Sequence, residues 1–261
     1  MAQYENARVD DLGGGLAAIV ISRPRRKNAM NDQVYMDLCA AFDHVQSDPH
    51  IHAVILTGEG DYFSSGADVS AASEPKVDAE SAPVGQFMLT LLRFPKVVVA
   101  AVNGPAVGIG VTLLPHCDIA YASERATFWT PSLRVAWVPE FCSTVTFPQI
   151  MGPSLANEML LMSRQLSAKE AQQARLISEV FPAETFMAEV QSRVRHMLAQ
   201  PLAGQSLPLF KKMIRRPRLA ELERVFREEM AELGKRSAQG DITQAIQALW
   251  EARNRRPNSR L

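Results

Sequence analysis

Two glycine-broken segments, Ser64-Ser65-Gly66-Ala67-Asp68 and Asn103-Gly104-Pro105-Ala106-Val107-Gly108-Ile109-Gly110, each follow an apolar run. Glycine accepts conformations and close contacts that a Cβ obstructs, so Gly66 and Gly108 can each let a backbone N–H approach one shared acceptor. A helix opening near Gly108 would add free N–H groups and a dipole that favour an oxyanion. The competing description is two loops that merely turn at strand ends. Beyond them stands one well-placed acid, Glu140, among Trp137, Val138 and Phe141. An acid after Pro139 reads as the first turn of a helix, where the dipole stabilises it by roughly 0.3 to 1 kcal/mol. The alternative is a desolvated carboxylate whose pKa is pushed up toward neutrality, which makes it a useful base.

Other constellations offer less. No Gly-x-Gly-x-x-Gly or Walker-type motif completes a nucleotide site, and Gly13-Gly14-Gly15 reads as a turn before a strand. Ser64, Ser65 and His116 lack the Gly-x-Ser-x-Gly elbow of a serine hydrolase. Cys39, Cys117 and Cys142, with the five histidines, form no metal-ligand spacing and suggest a reducing compartment. Two basic clusters, Arg25-Arg26-Lys27 and Lys211, Lys212, Arg215, Arg216, Arg218, read either as solvated faces or as phosphate contacts.

The elements that must position these residues belong to an α/β layer. Leu16 to Ser22, Ala53 to Thr57, Val97 to Val102 and Cys117 to Ala122 read as apolar strands. Asn31 to Gln46 has helix spacing at Val34, Leu38, Ala41, Phe42 and Val45, with Asn31 or Asp32 as N-cap, and a second helical stretch runs from Val107 to Leu114. Strand and helix in alternation predict parallel connections. Ala71 to Pro83 has no periodicity and reads as a mobile loop placed where a substrate lid would be useful. After Pro139 the strands are expected to stop. Helices are expected at Pro153 to Met162, Ala168 to Arg175, Glu184 to Ala199, Ser206 to Arg215, Leu219 to Arg236 and Ile242 to Arg253.

Of the 261 residues, 47% are hydrophobic, enough for one sizeable core with an appended helical piece. Twenty-eight basic residues balance twenty-eight acidic ones, so no global field draws nucleic acid or an anionic membrane. No apolar run approaches the ~18 to 20 residues of a membrane helix, and Met1 to Asp10 is too polar for a signal peptide. The terminal Ser259-Arg260-Leu261 differs by one cation from the Ser-Lys-Leu address of peroxisomal import; otherwise it is a basic tail.

Taken in order, six segments resemble the enoyl-CoA hydratase/isomerase, or crotonase, superfamily. They are Ser22-Arg23-Pro24 to Asn28-Ala29-Met30, Val54-Ile55-Leu56-Thr57-Gly58, Ser65-Gly66-Ala67-Asp68, Ala101-Val102-Asn103-Gly104, Cys117-Asp118-Ile119-Ala120 and Phe181-Pro182. The resemblance covers about Leu12 to about Arg253. It implies an α/β fold, a crotonase-like spiral of ββα turns over residues 1–199, with a C-terminal helical region, 200–261, used for trimerisation. It also implies an acyl-CoA substrate, no separate cofactor or metal, and a thioester oxyanion held by the N–H groups of Ala67 and Ile109. The family usually has glycine at the second position. The two glutamates with which family hydratases manage water fall here on Thr112 and Ser132.

Around Asn103 to Ile109 and from Pro139-Glu140-Phe141-Cys142-Ser143 to Phe147-Pro148, the chain resembles the peroxisomal Δ3,Δ2-enoyl-CoA isomerases, whose base glutamate falls on Glu140. The expected site is then Glu140, Ala67 and Ile109 for catalysis. Arg25, Ser65, Gly66, Ala67, Asp68, Val69, Gly108 and Lys211 are expected for substrate and CoA. Expected with these are a homotrimer or hexamer, and a peroxisome or glycosome reached through Ser259-Arg260-Leu261, or the cytoplasm if that tripeptide is not used. Two alternatives stay open: a dienoyl-CoA isomerase using Asp68 or Glu74 as a second acid, and a non-catalytic acyl-CoA-binding protein.

Overall fold

The computed structural model describes residues 2–71 and 80–254. Residues 72–79, with most of the expected lid and Glu74, and Ser259-Arg260-Leu261 lie outside the described residues.

In chain order the elements are β1 (Ala2–Gln3), β2 (Ala7–Gly13), β3 (Leu16–Ile21), α1 (Asp32–Ser47), β4 (Ala53–Gly58), α2 (Pro83–Arg93), β5 (Val97–Val102), β6 (Ala106–Val107), α3 (Ile109–Thr112), β7 (Ile119–Ser123), β8 (Thr127–Trp129), α4 (Ser143–Met151), α5 (Pro153–Met162), β9 (Gln165–Ser167), α6 (Ala168–Gln173), β10 (Glu179–Phe181), α7 (Phe186–Leu198), α8 (Ala203–Gln239) and α9 (Asp241–Asn254). The large sheet has the order β1-β2-β3-β4-β5-β7-β10, and β6-β8-β9 form a small second sheet. β3, β4, β5, β7 and β10 run parallel, while β2 returns antiparallel to β3. The turn expected at Gly13-Gly14-Gly15 joins β2 to β3, all three glycines having positive φ.

Every residue of β3, β4 and β5 is buried because both faces of the sheet are covered. Ala17, Ile19, Ile21, Val54, Leu56, Val98 and Val102 face the cluster that holds α1 and α2. Their alternates Leu16, Ala18, Val20, Ile55, Val97 and Val99 meet Phe186, Val190 and Val194 of α7. α1 buries the expected Val34, Leu38, Ala41, Phe42 and Val45, and Asn31 caps it by accepting from Val34 N at 3.1 Å.

Several expectations fail for physical reasons. Strands do continue past Pro139: β9 and β10 are too short to show alternation, and β10 is held by pairing with the distant β7. α2 carries Val84, Phe87, Met88 and Leu91 at helix spacing after Pro83 at its first turn, a signal swamped by the polar loop before it. The stretch expected as one helix from Val107 to Leu114 divides into the end of β6, a four-residue α3 and a 3-10 turn, Leu114–His116. The two helices expected at Ser206 to Arg215 and Leu219 to Arg236 are one, α8, which runs through Pro208 and Pro217. An interior proline costs about 3 kcal/mol. Here the cost is offset by anchors on both sides of Pro217: Lys211 and Arg215 to Asp118, and Glu223 to Arg93 at 2.8 Å.

Candidate active site

The backbone pair is assembled by two isolated β-bridges. Met30 pairs with Ala67 in parallel, Met30 N donating to Gly66 O at 2.8 Å and Asp68 N to Met30 O at 2.9 Å. In a parallel ladder this leaves the N–H of Ala67 itself pointing to the opposite side, where it has no acceptor among the described residues. Ser64 pairs with Ala106, Val107 N donating to Ser64 O at 2.9 Å, so the second segment lies alongside the first.

The approach is closest at the glycines. A Cβ on Gly66 (φ 84°) would lie 2.8 Å from Val107 O and 3.7 Å from Gly108 Cα. Gly108 (φ 53°, ψ −120°) is the N-cap of α3; its own N–H goes to Trp129 O at 2.8 Å. That leaves the Ile109 N–H without an acceptor among the described residues. α3 is a single turn, so of the free N–H groups and dipole expected near Gly108 the dipole is small. Ser64 is a staple of this loop: its buried Oγ donates to Asn28 O at 2.8 Å and accepts from Gly66 N at 3.0 Å.

Glu140 does not open a helix. It lies three residues before Ser143, the first residue of α4, so the dipole explanation for its position is withdrawn. The 3-10 turn Ser132–Val135 and the left-handed Ala136 bring the chain back, and Trp137 Nε1 donates to Glu140 Oε2 at 2.8 Å. The residue is 6% exposed. Burial raises its pKa to about 7, the Trp137 hydrogen bond opposes that rise, and the Glu229 charge adds to it. Its apolar neighbour Phe141 stacks on His116, ring centroids 4.1 Å apart, and His116 Nε2 meets Phe141 O at 2.7 Å. Burial lowers the His116 pKa to about 4, so near neutral pH the ring is uncharged and that bond is donated by its N–H.

Tyr35, on α1, feels the charges of both Glu140 and the Asp68 loop. Its side chain is almost fully buried. Burial, then the charges of Glu140, Asp32 and Asp68, hold its pKa well above the ordinary tyrosine value. The hydroxyl therefore lies within the fields of both Glu140 and the Asp68 loop. Sequence reading passed over Tyr35 because it sits on the apolar stripe of an amphipathic helix.

The remaining expected contacts divide. Asp68 is ion-paired to Arg23 at 2.6 Å and accepts from Ser70 N; burial raises its pKa, but the Ser70 and Arg23 hydrogen bonds prevail and hold it low. Its carboxylate fastens the loop, which argues against a second catalytic acid. Val69 is partly exposed in the following 3-10 turn. Arg25 is exposed on the 3-10 turn Pro24–Arg26, and Ser65 N donates to Lys27 O at 2.9 Å, which brings this basic turn beside the Gly66 loop. Lys211 does not join it. Its ammonium is buried, 2.7 Å from Asp118 and donating to Lys96 O at 2.6 Å, so we withdraw it from the phosphate site. Thr112 is buried with its Oγ1 unpaired, and Ser132 is half-buried; neither position supplies a carboxylate.

The family model for enoyl-CoA hydratase/isomerase matches residues 11–258. Enoyl-CoA delta isomerase 2 of Rattus norvegicus is 39% identical over 239 residues, 89% of this chain but 60% of the rat protein. This chain thus spans about three fifths of that relative's length. Peroxisomal enoyl-CoA delta isomerase 3 of Mus musculus is 39% identical over 238 residues, covering 89% of this chain and 74% of its own. A solved enoyl-CoA hydratase/isomerase from Pseudoalteromonas atlantica superposes with a TM-score of 0.88 at 30% identity, covering 95% of this chain and 98% of its own. With the spiral, the paired backbone donors and the motifs in order, the chain belongs to the enoyl-CoA hydratase/isomerase family.

Proposed function

We propose that the protein isomerises 3-cis- or 3-trans-enoyl-CoA to trans-2-enoyl-CoA, a step in the oxidation of unsaturated fatty acids. The observation that carries this reading is a buried acid at position 140 without the hydratase pair. Glu140 is buried and ionises near pH 7, while Thr112 and Ser132 stand where family hydratases carry their two glutamates. The names of the rat and mouse relatives agree with it.

Glu140 removes a proton from C2, and the electron pair of that C–H bond delocalises through the C3–C4 double bond and the thioester. The developing oxyanion is received by the N–H groups of Ala67 and Ile109. Such a donor typically contributes about 2.7 to 4 kcal/mol when removed. The protonated Glu140 then gives its proton to C4, leaving the double bond between C2 and C3. No water is added and none is needed, so one acid–base group suffices. The apolar surroundings of Glu140, Phe141 and Trp137 among them, discourage hydration. Arg25 is the proposed contact for CoA phosphate, and no cofactor beyond the CoA of the substrate takes part.

The helices following residue 199 serve subunit contact in this reading, giving a trimer or a pair of trimers. Its support is an exposed apolar stripe on α8: Leu209, Phe210, Met213 and Ile214. A peroxisomal or glycosomal address at Ser259-Arg260-Leu261 agrees with the name of the mouse relative. The test of the chemistry is Glu140→Gln assayed on 3-hexenoyl-CoA. Turnover should be all but lost, and a near-normal rate would refute the proton shuttle. Preference of the wild type for a 3,5-dienoyl substrate would favour the dienoyl isomerase instead.

A further inference from the structure

The turn that carries Glu140 is built at an energetic cost. Phe141 (φ 55°) and Cys142 (φ 59°, ψ 18°) are consecutive left-handed residues without glycine, each costing of order 1 to 3 kcal/mol. Cys142 is the N-cap of α4 and offers no side-chain cap. The donors left open at this helix start are taken instead by Glu229, far along α8. Its carboxylate accepts from Cys142 N at 2.6 Å, from Thr144 N at 3.2 Å and from Thr144 Oγ1 at 2.5 Å. Glu229 is itself 8% exposed, so these are the bonds that compensate its burial. A contact from Cys142 Sγ to Leu222 O at 3.2 Å fastens the same turn to α8.

We propose that Glu229 is a positioning residue for Glu140: by receiving three donors of turn 142–144, it sets the direction in which the base presents its carboxyl group. The assignment rests on Glu140 being the base, and it acts through the backbone rather than on the substrate. Electrostatics support it from a second side. The groups facing Glu140 are the Trp137 indole, the Tyr35 phenol and Glu229; those facing Glu229 are Thr144, Cys142, the neighbouring Glu228 and Glu140. His116, packed on Phe141, adds no charge at neutral pH. Burial raises the Glu229 pKa against the three donors it accepts, and when ionised it makes ionisation of Glu140 harder as well as holding its turn.

The experiment compares wild type, E140Q, E229Q, E229D and T144V by thermal unfolding and by kcat and KM on 3-hexenoyl-CoA across pH. In E229Q, kcat should fall about tenfold to a hundredfold with KM little changed, the range expected when a catalytic group is misplaced by about 1 Å. The acid limb of kcat/KM should move to lower pH, because an anion beside the base has gone. E229D keeps the charge but shortens the reach, so it should lose kcat without that movement; T144V should show a smaller loss of the same kind. A purely structural role would lower the melting temperature and leave the acid limb in place. Folded E229Q with wild-type kcat and an unmoved limb would overturn the assignment. Should E229Q not fold, wild-type kcat in both E229D and T144V would do the same. Activity retained in E140Q would instead sink the base itself, so the two failures are distinguishable.

Discussion

Among the described residues the indole of Trp137 is the one group that directly restrains the rise in the Glu140 pKa, and Trp137→Phe removes its N–H while keeping an aromatic ring. The bond is 2.8 Å long and ends on a carboxylate 6% exposed, so solvent screening takes little from it. A hydrogen bond to a charged group contributes about 1.5 to 3 kcal/mol. At about 1.36 kcal/mol per pH unit, its loss should move the ionisation of Glu140 up by about one to two pH units. The sign follows from the role: a general base must be ionised, so kcat/KM climbs through the pKa of the free enzyme. Wild-type Glu140, ionising at about 7, is half charged at pH 7. In the variant the charged fraction at that pH should drop to between about a tenth and about a hundredth, with kcat/KM falling in proportion. Activity should return as the pH is raised past the new midpoint. The assay is kcat/KM for 3-hexenoyl-CoA at closely spaced pH values, with unfolding followed in parallel. A folded variant whose acid limb stays in place, or moves to lower pH, refutes the reasoning, because it would mean that the indole does not stabilise the charged base.

Three further outcomes follow from the same structure. Glu140 ionises at about 7 in the folded protein against an ordinary value of 4.5, so its charge opposes folding: at about 1.36 kcal/mol per pH unit the penalty is absent below about pH 4 and reaches about 3 kcal/mol above pH 7. E140Q should therefore resist denaturant better than wild type at pH 8 and equally at pH 4, and an advantage equal at both would contradict the buried anion. For the basic residues, Lys211→Met should lower stability by less than the about 3 to 5 kcal/mol of an orphaned buried charge, since Arg215 still pairs Asp118, and should leave KM unchanged. Arg25→Ala should raise KM for the CoA substrate with kcat and melting temperature unmoved; a reversal of the two effects would restore the phosphate role to Lys211.

The parts of the fold that depend on local periodicity were legible before any coordinates. β3, β4, β5 and α1 follow from runs and stripes that no other arrangement would bury, and Asn31 caps α1 as its type suggests. The parts decided by distant partners were not. β10 has three residues and exists because β7 offers it an edge, and α8 passes Pro217 because side chains on both sides of that proline are tied to the body of the protein. The anchors that outweigh the cost of that proline are Asp118, just before β7, and Arg93, the last residue of α2.

The candidate site divides along the same line. Gly66 and Gly108 could be read directly, because the need for positive φ and close approach is written in the residue type. Glu140 could be read as an acid among apolar neighbours, but its chemistry is not a property of those neighbours alone. An acid at a helix start would have its pKa lowered by the dipole, whereas Glu140, placed before the helix and beneath α8, has its pKa raised. The reversal comes from burial, which local sequence does not reveal; the Trp137 hydrogen bond opposes it, and Glu229, which holds the turn, adds to it by repelling the charge. Tyr35 belongs with them, a phenol hidden in a helix stripe and exposed to the field of the base. Types and spacing thus single out Glu140 as the proposed base, while the tertiary contacts decide the pH at which its carboxyl group is charged.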